Sequence, residues 1–176
     1  MAGAVETPVD VDALVTHWRR TVGQAAADLV GVPDAHARRR PAPGKWSMKE
    51  IVGHLVDSAA NNHRRFVEAQ LQQDMIFDGY AQDAWVRLQQ YQESPWPDLV
   101  GLWAAYNDHL ADVVRAMPIE ALDRPRPRHN LHEVAWQPVA EDRPATLGWF
   151  VRDYVGHLEH HLAQIRALLA MDSANE

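Results

Sequence analysis

The chain has 176 residues, 47% of them apolar and 23% charged, enough for one soluble globular domain with a sizeable core. Seventeen basic against 24 acidic residues leave a net charge of −7, which argues against a long nucleic-acid footprint, because such a surface is basic. There is no cysteine, so disulfides, cysteine-ligated zinc and a thiol nucleophile of the chain's own are excluded. Residues Met1 to Pro8 carry no charged-then-apolar signal pattern. No apolar run approaches the ~18 residues of a membrane span. The expectation is a cytoplasmic protein of one domain over residues 1–176, with no membrane or nucleic-acid partner.

From Asp10 to Val30 apolar residues fall at helical spacing, and Gly31 and Pro33 end the run. Arg38-Arg-Arg-Pro-Ala-Pro-Gly44 reads as a solvated loop. Ser47 and Glu50 form a capping box that starts a second helix. Its buried stripe is Met48, Ile51, Val52, Leu55, Ala59 and Phe66. His54 borders the stripe, and Ser58, Asn61 and Arg65 follow on the same side with Asp57 close by.

Residues 72 to 93 are polar and are expected to hold one short helix. Ser94-Pro95 supplies an N-cap and a first-turn proline for a third long helix, which Pro118 closes. His109 lies off that helix's apolar stripe and is expected to be exposed. Residues 118 to 145 form a proline-rich connection carrying His129, His132 and Trp136; a stretch of that length is more often a functional flap than a plain tether. Thr146 caps a last helix that runs to about Met171, with fraying expected from Asp172 onward. Four long amphipathic helices without a convincing strand make this an all-α four-helix bundle with a long connection before the last helix.

The last helix carries His157, His160 and His161. At about 100° per residue, with Tyr154 as zero, its apolar stripe spans about −40° to +60°. His161 falls at about −20°, His157 at about −60° and His160 at about −120°. His157 and His161 therefore share a face at chelating distance, and His160 points to solvent. An imidazole at a core position needs a hydrogen-bond partner or a metal. Bundles build metal sites from facing helices, and His54 with His157 and His161 makes a three-histidine set. Such a set suits Zn²⁺ or Ni²⁺ and leaves a coordination position open. Asp153, one turn before His157, is expected to orient it through a hydrogen bond.

The stretch Trp46-Ser-Met-Lys-Glu-Ile-Val-Gly-His54-Leu-Val-Asp-Ser58 resembles the second-helix motif of the DinB/YfiT-like superfamily, and His157-x-x-His160-His161-x-x-Gln164-Ile165 resembles its last-helix motif. The resemblance covers nearly the whole chain. In that family one histidine of the second helix and an i, i+4 pair of the last hold the metal, which implies His54, His157 and His161 here. It also implies a metal-dependent enzyme acting on a small molecule. Characterised relatives use low-molecular-weight thiols such as bacillithiol or mycothiol, and relatives are often dimeric; the aromatics of residues 80 to 96 offer such a contact.

Three functions are compatible with these residues. The first is a thiol-dependent S-transferase or isomerase, in which Asn61, Arg65 and Tyr106 orient the thiol cosubstrate. The second is a metal-dependent hydrolase with Asp57 or Asp153 as base. The third is a non-catalytic metal-binding bundle.

Overall fold

The computed structural model describes residues 9–173. Asp10 starts α1 (Val11–Val30) by accepting the Ala13 N–H, and burial of Val15, Trp18, Val22, Ala25 and Leu29 gives the helix one apolar face. A short α2 (Asp34–Arg38), which the apolar spacing does not mark, follows Pro33. The capping box then opens α3 (Met48–Leu71): Ser47 Oγ accepts from Glu50 N at 3.2 Å and Glu50 returns to Ser47 N at 2.9 Å. The polar stretch that follows holds α4 (Gln82–Leu88) and a 3₁₀ turn, Tyr91–Glu93.

The next helix, α5 (Trp96–Arg115), differs from expectation at its start. Its N-cap is Pro95, not Ser94, and the first-turn proline is Pro97. Ser94 ends the 3₁₀ turn, and its carbonyl accepts the buried Lys49 ammonium at 2.8 Å. Lys49 also pairs with Asp34 at 2.6 Å, so one buried cation ties α2, α3 and the entry to α5 together. The long connection contains α6 (Ile119–Asp123) and α7 (Leu131–Val134), and Thr146 then caps α8 (Leu147–Ser173) through Trp149 N at 3.1 Å. Residues 1–8, read as free of a signal pattern, lie outside the described residues. So does the end of the segment expected to fray, although the backbone of 172–173 continues α8.

The described residues form helices and no strand; two isolated bridges, Met75 with His129 and Arg126 with Ala145, fasten the connection. The main packings run α1 on α5, α5 on α3, α3 on α8 and α8 on α1. Helices that follow one another in the chain, α1 and α3 or α5 and α8, therefore stand diagonally, and only α3 and α5 are both consecutive and adjacent. This four-helix bundle places α3 and α8 side by side. The arginine run of the α2–α3 loop is engaged in ion pairs, Arg38 with Glu93 and Arg40 with Glu50.

The core centres on Trp18, Trp103, Phe66, Phe150 and Tyr154. Inside it Asn107 Oδ1 accepts from Trp18 Nε1 at 3.1 Å and from the Tyr154 hydroxyl at 2.7 Å, while its Nδ2 donates to Trp103 O. One buried amide thus satisfies donors from two other helices. Gly53 marks a close approach, because a Cβ there would lie 2.1 Å from the Tyr91 ring. Asn107→Ala orphans the Trp18 and Tyr154 donors and is expected to lower stability by about 3 kcal/mol, read as a reduced urea midpoint with unchanged slope.

Candidate metal centre

The register set by the capped start of α3 puts His54 against α8, where it is fully buried. His157 and His161 are half-buried and approach it from one face of α8. The Nε2 atoms of His54 and His157 are 3.3 Å apart, and those of His157 and His161 are 3.0 Å apart. One ligand atom from each of the three histidines lies within 4.8 Å of the others. A tetrahedral ion with arms of about 2.0–2.1 Å has ligand–ligand edges of about 3.3 Å, so two of the three edges are already near that length.

Neighbouring groups set which nitrogen faces the others. His161 Nδ1 donates to Gln164 Oε1 at 2.9 Å, and the Gln164 amide donates in turn to His160 Nε2 at 3.0 Å. With these orientations the His161 Nε2 keeps its lone pair. His157 Nδ1 lies 3.4 Å from Ser58 Oγ. His54 Nδ1 has no hydrogen-bonding partner, and its ring is placed by the Trp46 indole at a centroid distance of 5.0 Å. Burial, with the other imidazoles adding to it, drives the pKa of His54 and of His157 down to about 3. His161 is lowered for the same first reason. All three are neutral at pH 7 and carry no positive charge to repel a cation.

A cavity of about 350 Å³ opens beside His157 and His161. Ser58, Asn62 and Arg65 of α3 form one wall, the Phe150–His161 stretch of α8 another, and residues 133–136 of the connection a third. Trp136 lies over Gly156, where a Cβ would come within 2.9 Å of the indole, and faces the exposed His160 at 5.5 Å. His129 and His132 stay outside the triad: His129 bonds the Arg143 carbonyl at 2.7 Å and His132 pairs with Glu141 at 2.9 Å.

Of the residues expected to orient a cosubstrate, Arg65 lines the cavity, whereas Asn61 and Tyr106 do not. Asn61 donates to the Asp57 carbonyl at 2.9 Å, and the Tyr106 hydroxyl lies 3.4 Å from His63 Nδ1 on the α3–α5 side. Asn62, the next residue, takes the wall position; it follows Ser58 by one helical turn, a spacing that could have marked it. Asp153 does not orient His157. Its two oxygens accept the backbone N–H groups of Trp136 and Gln137, each at 2.8 Å. Asp57 accepts from the Tyr91 hydroxyl at 2.6 Å and from Gln89, and is absent from the cavity wall. Gln164 and Trp46 act on the triad directly; each stands in one of the two motifs that carry the family resemblance, without a role read for either, and the i, i+3 spacing of Gln164 from His161 could have given one.

The model of the DinB superfamily matches residues 13–165, and the chain belongs to that superfamily. It is 23% identical over 132 residues, 75% of this chain and 69% of the other, to a protein of Oceanobacillus iheyensis named as a candidate metal-dependent hydrolase. Its fold matches that of YfiT from Bacillus subtilis with a TM-score of 0.74 and 17% identity, over 98% of this chain and 94% of the other; that structure is described as a probable metal-dependent hydrolase with an unusual four-helix bundle topology.

Two outcomes are expected from this geometry. His54→Ala and His161→Ala should each remove tight binding of Zn²⁺ in a competition titration, Gln164→Ala should weaken it by about 10-fold, and His160→Ala should leave it within about twofold. Second, unfolded histidines take up a proton near the ordinary value of 6.5, whereas folded His54 and His157 do so only near 3. The unfolded chain binds more protons between those values, so acid favours unfolding. The chelated protein should lose melting temperature steadily as pH falls below 6.5, and the loss should shrink in His54→Leu.

Proposed function

We propose that this DinB-superfamily chain is a divalent-metal-dependent enzyme that uses a low-molecular-weight thiol as cosubstrate, for S-transfer or isomerisation of a small molecule, with His54, His157 and His161 holding the cation. Zn²⁺ and Ni²⁺ suit a set of three neutral imidazoles. When bound there, either supplies a Lewis-acid position that favours the deprotonated form of a small ligand at neutral pH.

The observation that carries the thiol reading is the state of the carboxylates around the cavity. Both oxygens of Asp153 accept backbone N–H groups, so protonating the carboxylate weakens its hold on Trp136 or Gln137. Burial raises its pKa and those two hydrogen bonds oppose the rise. Glu133 is exposed at the rim and accepts from Asn130 at 3.3 Å. Among the described residues neither lining carboxylate, Asp153 or Glu133, is hydrogen-bonded to the triad, which supports the thiol reading over a hydrolase that relies on a carboxylate base. Asn62 and Arg65 stand along the wall where the remainder of a cosubstrate would lie, and Trp136 restricts entry of water over His157. We also propose a cytoplasmic homodimer, with the exposed Trp85 and Leu88 of α4 as the contact.

The second reading, a metal-dependent hydrolase, is favoured by the descriptions of the relatives. A panel of thiols that includes bacillithiol and mycothiol, offered with a chloronitrobenzene or an epoxide, separates the two. The protein with its native metal should consume thiol faster than the enzyme-free control, and the chelated protein should not. Turnover of an ester or amide with water alone, and no thiol consumption, would replace the transferase with the hydrolase.

A further inference from the structure

Arg65 stands eleven residues, about three turns, along α3 from His54 and lines the same cavity. It is only 5% exposed. Its one hydrogen bond runs from Nη2 to the backbone carbonyl of Asp78 at 2.7 Å, and among the described residues it makes no ion pair with a carboxylate. Buried cations elsewhere in the molecule are treated differently. Lys49 has Asp34, and Arg126, equally sequestered, spends its guanidinium on the carbonyls of Ala69, Gln72 and Ala121. A buried guanidinium holding a single carbonyl is costly, and burial already presses its pKa downward. Beside it Asn62, 8% exposed, gives its amide N–H to Ser58 and leaves its oxygen without a partner. The charge of Asp78 acts on Arg65 from outside the lining, but no lining carboxylate is paired with it, since Asp153 is committed to backbone and Glu133 is at the rim.

We propose that Arg65 is a ligand-binding residue: the cavity takes a small molecule that carries a carboxylate on the end remote from the three histidines, and the Arg65 guanidinium holds that carboxylate. A planar fork of donors matches a carboxylate in two parallel hydrogen bonds, and desolvation strengthens the pair. The inference rests on the proposed function only in taking the histidines as the reacting end. It names the charge of the molecule that reaches them: an anionic cosubstrate or substrate, in preference to a neutral or cationic one of the same length.

The test uses three probes of one length, hexanoate, hexanol and hexylammonium, titrated into the purified protein with its native metal and followed by calorimetry. Hexanoate should bind about 10-fold tighter than hexanol, and hexylammonium weakest. The preference should vanish in Arg65→Gln, persist in His161→Ala, and leave hexanol affinity the same in each. Equal binding of hexanoate and hexanol overturns the inference. So does a preference that survives Arg65→Gln and disappears in His161→Ala, because the carboxylate then sits at the histidines. If Arg65→Gln lacks the helical circular dichroism of the parent, Arg65→Lys decides: lysine keeps the charge without the fork, the preference should fall at least threefold, and an unchanged preference overturns the proposal. Thiol consumption measured on the same samples keeps the two ideas apart. Hexanoate preference without thiol turnover overturns the transferase, and the converse overturns the role of Arg65.

Discussion

A buried polar stripe runs down α3, and the rest of the molecule is arranged to satisfy it. His54, Asp57, Ser58, Asn62 and Arg65 are all buried, on a helix enclosed by α5, α8, α4 and the 3₁₀ turn. Each such group costs stability unless it is paired. Asp57 is met by Tyr91 and Gln89, which brings the 3₁₀ turn onto Gly53. Ser58 is met by Asn62 and His157, and His54 by the imidazoles of α8. The diagonal chain path follows from this demand: α3 and α8 have to be neighbours although α5 lies between them in sequence, and the long connection is the length of chain that makes this possible.

The triad is a small part of what holds the bundle. Trp18, Trp103, Phe66 and Phe150 are essentially inaccessible to solvent and pack without reference to the histidines. A core of that kind supports the fold by apolar burial, unlike a zinc finger, whose folding energy is the metal's. The imidazoles are therefore held by rigid helices, with Gln164 fixing the tautomer of His161, and a cation would meet nitrogens already close to coordinating separations.

The parts of this arrangement legible in the sequence are those governed by local periodicity. The capping box at Ser47, the i, i+4 pair on α8 and the outward angle of His160 follow from helical geometry alone. That His54 meets the pair is not fixed by spacing within one helix; it comes from the rule that bundles build metal sites on facing helices, and the family resemblance agrees with it. Except for Asn61, which bonds the Asp57 carbonyl one turn back, the readings that changed share one cause, a partner distant in the chain. Asp153 sits one turn from His157, yet it is claimed by backbone groups 16 and 17 residues away. Ser94 looks like a helix cap, yet its carbonyl serves Lys49, 45 residues earlier. Tyr106 shares no wall with the triad because α5 presents it to His63.

The connection of residues 118 to 145 has more structure than a flap expected from its length. Arg126 caps the end of α3 through the carbonyls of Ala69 and Gln72 and ties it to α6 through that of Ala121. Asn130 exchanges hydrogen bonds with Phe77, accepting at 3.0 Å and donating at 2.8 Å. His129 holds Arg143, and Asp153 holds the two N–H groups at 136 and 137. Between the last two anchors the chain runs from 138 to 142 with largely exposed residues and no helix. The cavity walls on α3 and α8 belong to long helices, Tyr80 and Gln82 stand at the start of the short α4, and the wall of residues 133–136 is held through the carboxylate of Asp153. Its place one turn before His157 made it look like a partner for that imidazole, and its burial is what gives its hydrogen bonds to the backbone their strength.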